Sequence, residues 1–220
     1  PFENLYSFGK KGEKMPENAI RSVNELGKYF GKDAVRAAAA DESVLKKSQE
    51  IIAALNLTDE KVINLATTAV YNHRRAVRDW HNAHPYTIIP EVDKATGRKL
   101  SKVEREMMAD KMIPESVHAR LLKDLNRVLT PEQVEAVFDQ YTVGKVAFTM
   151  KGYYAIVPDL TDEEAKVIEG HLKQAREEAL ECKSMKAISQ VFEIYKTKCE
   201  QYLNSNGRDW KQLFRDYVNK

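Results

Sequence analysis

Apolar residues recur along most of this chain at steps of three and four. Ala165, Ile168, Leu172, Ala175 and Ala179 form one such row, and Ile188, Phe192, Tyr195, Cys199 and Tyr202 form another. That period is helical. The two rows predict an antiparallel helix pair that turns near Cys182 to Ser184. Asn206-Gly207 ends the second helix, because glycine tolerates the left-handed cap. "RDWKQLFRDYV" predicts a short last helix. Earlier in the chain the same spacing predicts helices over Glu17 to Phe30 and Val44 to Leu55. A further one carries Val117, Leu121, Leu125 and Val128 after a break at Pro114.

One device recurs at helix starts. "LTDEKV" begins at Leu57, "LTPEQV" at Leu129 and "LTDEEA" at Leu160. Thr58, Thr130 and Thr161 are each placed to accept an orphan backbone N–H as N-cap. Gln133 and Glu164 complete capping boxes behind Thr130 and Thr161, and "SKVE" at Ser101 forms another. Pro131 suits a first helical position. The leading leucines are set to staple onto Val62, Val134 and Ala165.

Three stretches break the helical pattern. The first sixteen residues read as irregular. Pro85 to Leu100, with two prolines and a Thr-Gly turn, reads as a long loop, a kind often reserved for function. Tyr141 to Val157 reads as a short extended piece and then a helix from about Phe148. The expected architecture over residues 1–220 is a single all-α domain, an irregular multi-helix bundle with a C-terminal helix pair.

Composition narrows the function classes. Lys+Arg 35 against Asp+Glu 33 gives a net charge of +2, too balanced for a nucleic-acid binder. No apolar run approaches the roughly 18 residues needed to span a bilayer. Opening on Pro1 without an initiator methionine, the numbering reads as that of a trimmed, mature chain. Cys182 and Cys199 match neither a zinc pattern nor a redox CxxC, and are expected as two separate thiols rather than a disulfide.

"VYNHRRAVRDWHNAHP", Val70 to Pro85, carries the densest chemistry. On a helix, His73, Val77, Trp80 and His84 fall on one face and extend the row Val62, Ala66, Ala69. Arg74, Arg78 and His81 lie along a flank, and Arg75 and Asp79 pair at i,i+4. His73 and His84 stand roughly 16 Å apart along the axis and cannot share an ion. No HExxH or CxxC adds ligands, so neither a metal nor another cofactor is expected. Trp80 near the helix end, beside Arg78, His81 and the loop residue Tyr86, makes a candidate ligand groove. An aromatic face with fixed polar neighbours suits a sugar ring. In "QAREEALE", Arg176 lies near the apolar row and calls for a carboxylate partner. Of Tyr153 and Tyr154, one is expected in the core and one outside it.

From His118 onward, "HARLLKDLNRVLTPEQVEAVFDQYT", "YYAIVPDLTDEEAKVIEGHLKQAREEAL" and "FEIYKTKCEQYLNSNGRDW" together resemble the family catalogued as domain of unknown function 3826. The resemblance is closest over about half the chain. It implies an exported accessory protein of glycan acquisition, periplasmic or associated with the outer membrane, whose partner is an oligosaccharide or another glycan-utilisation protein. Arg176, Glu177 and Tyr195 match the family's recurring positions and join the candidate ligand contacts. Glu200-Gln201 stands where relatives often carry Asn-Asn. Two further readings stay open: a helical protein–protein interaction module without a small ligand, and an enzyme acting on oligosaccharides.

Overall fold

The structure is a computed structural model, and it describes residues 32–182 and 184–219. The expected irregular segment 1–16 and the helix expected over Glu17 to Phe30 lie outside the described residues. Two compact units divide the chain, Pro1–Glu50 and Ile51–Lys220. The described part of the first unit is helix α1, Lys32–Ala53, whose last residues belong to the second. It begins earlier than the Val44 start expected from the sequence.

The regular elements described in the second unit are helices. After α1 come α2 (Glu60–Ala83), a 3-10 turn (Tyr86–Ile88), α3 (Lys102–Asp110), α4 (Glu115–Asn126) and α5 (Pro131–Tyr141). Then follow α6 (Lys145–Ile156), α7 (Asp162–Glu178), α8 (Met185–Ser205) and α9 (Trp210–Val218). The fold is thus an all-α multi-helix bundle, and α7 and α8 form the expected antiparallel pair. Among the described residues the only extended pairing is an isolated antiparallel bridge, Val92 with Lys99.

Helix starts follow side-chain chemistry. Ser101, Thr130 and Thr161 each close a capping box, with Glu104, Gln133 and Glu164 respectively. The start after Leu57 differs from expectation, because Asp59 and not Thr58 is the N-cap. Its Oδ1 accepts from the N–H of Lys61 at 2.8 Å and of Val62 at 3.1 Å. With Lys61 three residues after Thr58, a box on Thr58 has no partner. A carboxylate also suits the positive helix end better than a hydroxyl.

The stretch from Tyr141 is not extended. α5 runs through Tyr141, and the chain then turns through Val143 (φ 55°) and Gly144 (φ 66°) straight into α6. Gly144 N–H donates to the Asp139 carbonyl at 2.9 Å, closing the Schellman pattern of a helix end. Val143 therefore sits in the left-handed position that usually holds glycine. The α8 end is the ordinary version: Gly207 (φ 84°) takes that position, and Arg208 N–H reaches the Leu203 carbonyl at 3.1 Å.

Two apolar clusters fill the second unit. One joins α3, α6, α7 and α8 around Met107, Tyr153, Ile168, Leu172, Phe192 and Leu203. The other joins α2, α4 and α5 with Ile51 and Ile52, around Val70, Leu121, Leu125 and Phe138. The expected staple pairs Leu57 with Val62, Leu129 with Val134 and Leu160 with Ala165 each fall within one cluster. Residues 85–100 are tied down. Arg105 of α3 donates from Nε to the Ile89 carbonyl at 2.9 Å, and Leu100 N–H to the Glu91 carbonyl at 2.8 Å. Ile89, Leu100 and Ala109 form a small cluster beneath.

Candidate functional site

At the end of α2 the candidate residues are engaged with their neighbours. Trp80 is half-buried and stacks on His84, with ring centroids 3.8 Å apart and planes at 18°. The His84 Nδ1 bonds the Trp80 carbonyl at 3.0 Å, which holds the pair together. Arg78 bonds Asp79 with two guanidinium nitrogens, at 2.9 and 2.7 Å. Tyr86 carries the Lys102 and Arg105 cations over its ring, 5.3 and 5.2 Å from its centroid. One face of Trp80 and the ring of Tyr86 thus have partners within the protein.

The two histidines near this helix end exchange the places expected for them. His81, expected on a flank, is buried, while His84 is only half-buried. The buried row of α2 runs His73, Val77, His81 at steps of four. Polar partners make the burial tolerable. His81 Nε2 lies 3.0 Å from the Glu181 carbonyl oxygen and 3.4 Å from Asp110 Oδ1.

Glu181 is the centre of a wider network. Its Oε1 lies 2.9 Å from His118 Nδ1 and 3.3 Å from His73 Nε2. His73 Nδ1 in turn lies 3.1 Å from the Tyr141 hydroxyl. A carboxylate only accepts, so both imidazoles donate to Glu181. The bond to Glu181 raises the pKa of His118 above its ordinary value of 6.5. Burial works to raise the Glu181 pKa, but the two histidines outweigh it and hold the carboxyl below its ordinary 4.5. This constellation joins α2, α4, α5 and the α7–α8 turn. Separations of 68, 108 and 63 residues between its partners hid it from sequence periodicity.

The family-matched positions divide. Arg176 is almost fully buried, 1% exposed, and pairs with Glu135 at 2.6 Å and Asp139 at 2.7 Å. It is the structural bridge its position called for. Glu177 is exposed on the same helix. Tyr195 is buried and donates its hydroxyl to Glu178 Oε1 at 2.5 Å. Tyr153 is buried and Tyr154 exposed, and Cys182 and Cys199 are both free thiols.

Arg176, with Glu135, Asp139 and Lys173, lines a cavity of about 560 Å³. Two other cavities are lined mainly by different residues. The smaller, about 390 Å³, is lined by His118, Glu181, Glu178, Asp110, Lys111, Glu115 and Cys182 over the apolar side chains of Met107, Ile113 and Val191. The larger, about 610 Å³, is an open groove among α6, α8 and α9. The rings of Phe148, Tyr153, Trp210, Phe214 and Tyr217 line it, with Lys151, Lys196 and Glu200 among them. Phe148 is 79% exposed, Phe214 47% and Tyr217 44%. Burial raises the Glu200 pKa, Lys196 opposing. None of Arg78, Trp80, His81 and Tyr86 lines either cavity. Among the described residues no three His, Cys, Asp or Glu side chains converge to hold a metal ion. No described helix is long and apolar enough to cross a membrane.

The chain belongs to the family described as protein of unknown function (DUF3826), which it matches over residues 41–220. The match takes in every residue of both cavities. No curated protein matches the chain.

Proposed function

We propose that this protein binds carbohydrate, as an exported accessory protein of glycan acquisition, and that its binding face is the aromatic groove of α6, α8 and α9. The supporting observation is the exposure of Phe148, Phe214 and Tyr217 in one groove of about 610 Å³. Solvent-facing rings cost free energy unless something covers them. A sugar ring covers an aromatic face with its C–H groups and offers its hydroxyls to neighbouring polar groups. Lys151, Lys196 and Glu200 supply those groups here. The groove volume lies within the range of small-ligand sites, about 300–1,000 Å³. This reading puts the binding face on the C-terminal helices rather than at Trp80.

Calorimetry against a panel of neutral and acidic oligosaccharides tests the reading. At least one should bind, and Phe214→Ala and Tyr217→Ala should each weaken it about tenfold or more, the equivalent of about 1.4 kcal/mol. Both variants should fold, since α9 buries no residue fully. Absence of binding to every oligosaccharide at millimolar concentration sinks the proposal. Capture of a protein through the same rings, with no sugar competing, favours an interaction module instead.

A further inference from the structure

The smaller cavity has a different chemistry from the groove. Its wall carries an imidazole held by a carboxylate, and its floor is apolar. His118 Nδ1 is taken by Glu181 at 2.9 Å, whereas its Nε2 has no hydrogen-bond partner among the described residues. Glu181 is fixed from behind by His73 on the same oxygen, and its backbone carbonyl by His81. Holding helices together does not require such a chain to end in a half-exposed imidazole beside a cavity. A proton-transferring histidine does require it: one nitrogen must be oriented and the other open.

We propose that this cavity is a hydrolytic site for small acyl esters, with His118 as general base and Glu181 as its positioning residue. The acyl chain lies on Met107, Ile113 and Val191. Neutral His118 takes a proton at Nε2 from a water molecule as the water oxygen bonds to the acyl carbon. The carbonyl π pair moves onto oxygen, with the Lys111 ammonium on the same cavity wall. The C=O bond then re-forms, the bond to the alcohol oxygen breaks, and that oxygen receives the proton from Nε2. One water is consumed, and a carboxylic acid and an alcohol leave. Cys182 also lines the cavity, but burial, with Asp110 beside it, pushes its thiol well above the usual range. Water, not the thiol, is therefore the nucleophile.

The charged groups set the pH dependence. His118 is faced by Glu181 on the α7–α8 turn, by Glu177 and Glu178 of α7, and by Asp110, Lys111 and Glu115 at the cavity. Glu181 and Glu177 both favour the protonated form. A base works when neutral, so the rate must rise with pH along a limb above 6.5, the ordinary histidine value.

Hydrolysis of p-nitrophenyl acetate and butyrate by the full chain tests this, scored over many turnovers to exclude a single acylation of surface lysines. Wild type should turn over, with kcat/KM rising along that limb. His118→Gln should lose about 100-fold or more. Glu181→Gln should lower kcat and move the limb toward lower pH, a shift that a merely structural residue does not cause. Lys166→Ala, at an exposed position that lines neither this cavity nor the groove, should hydrolyse both esters as wild type does. Folded wild type without turnover, a wild-type profile flat between pH 6 and 9, or His118→Gln as active as wild type overturns the proposal. The wild-type profile decides the matter even if His118→Gln fails to fold.

Discussion

Arg176 and Glu181 show how single charged residues tie separate helices together. A buried guanidinium is tolerable only with partners, and two carboxylates of α5, Glu135 and Asp139, supply them. That requirement could be read from position, since Arg176 follows Leu172 and Ala175 on the apolar row; the partners could not. Glu181 makes a pH prediction. The His118 pKa is raised, so its contribution to stability is full below 6.5 and is lost as pH rises through the folded value. The Glu181 pKa is lowered, so its contribution is present above 4.5 and is lost as pH falls through the folded value. Their pairing therefore stabilises most between about pH 4.5 and 6.5. Urea unfolding of wild type and Glu181→Gln across pH 4 to 9 should show the largest difference in that window. A difference that does not vary with pH rules the pairing out.

At the scale of the element, helix starts were more legible than helix ends. The boxes at Ser101, Thr130 and Thr161 are local, complete within four residues, and hold as read. Glu164 does double duty. It closes the box at Thr161 and pairs with Arg208 at 2.7 Å, which helps bring its pKa down to about 2. The α5–α6 turn departs from the expected extended piece because its glycine comes one residue late. Val143 occupies the left-handed position and Gly144 the next, so the familiar signal of glycine at that position is missing. A β-branched residue there is strained by about 1–2 kcal/mol. Val143→Asn should raise the unfolding free energy by about 1 kcal/mol, because asparagine tolerates this conformation and position 143 is 71% exposed. Denaturant titration measures it, and an unchanged midpoint refutes the strain.

At the scale of the whole molecule, apolar residues divide between packing and display. Ile168 and Phe148 are both large and apolar, yet one is fully buried and the other mostly exposed. Ile168→Ala should cost about 2–5 kcal/mol, from lost burial and the cavity left behind. Phe148→Ala should change stability by less than about 0.5 kcal/mol. Thermal melts that find the two equal would mean that Phe148 is covered in solution. Display also explains why the groove was hard to see in advance. "RDWKQLFRDYV" predicts only a short last helix, and in the fold nothing on that helix is fully buried. Trp80 is the reverse case: a ring expected to face a ligand is stacked on His84.

The sequence alone determined the all-α class, the α7–α8 pair, most helix starts, the buried charge at Arg176 and the family resemblance. Each rests on contacts within a few residues or on a period repeated along one element. Only the tertiary structure decided which helix faces stay open and which side chains meet. Glu181 with His73 and His118, and Phe148 with Phe214 and Tyr217, come from elements far apart in the chain. Their proximity is set by how helices pack, and no local spacing encodes it.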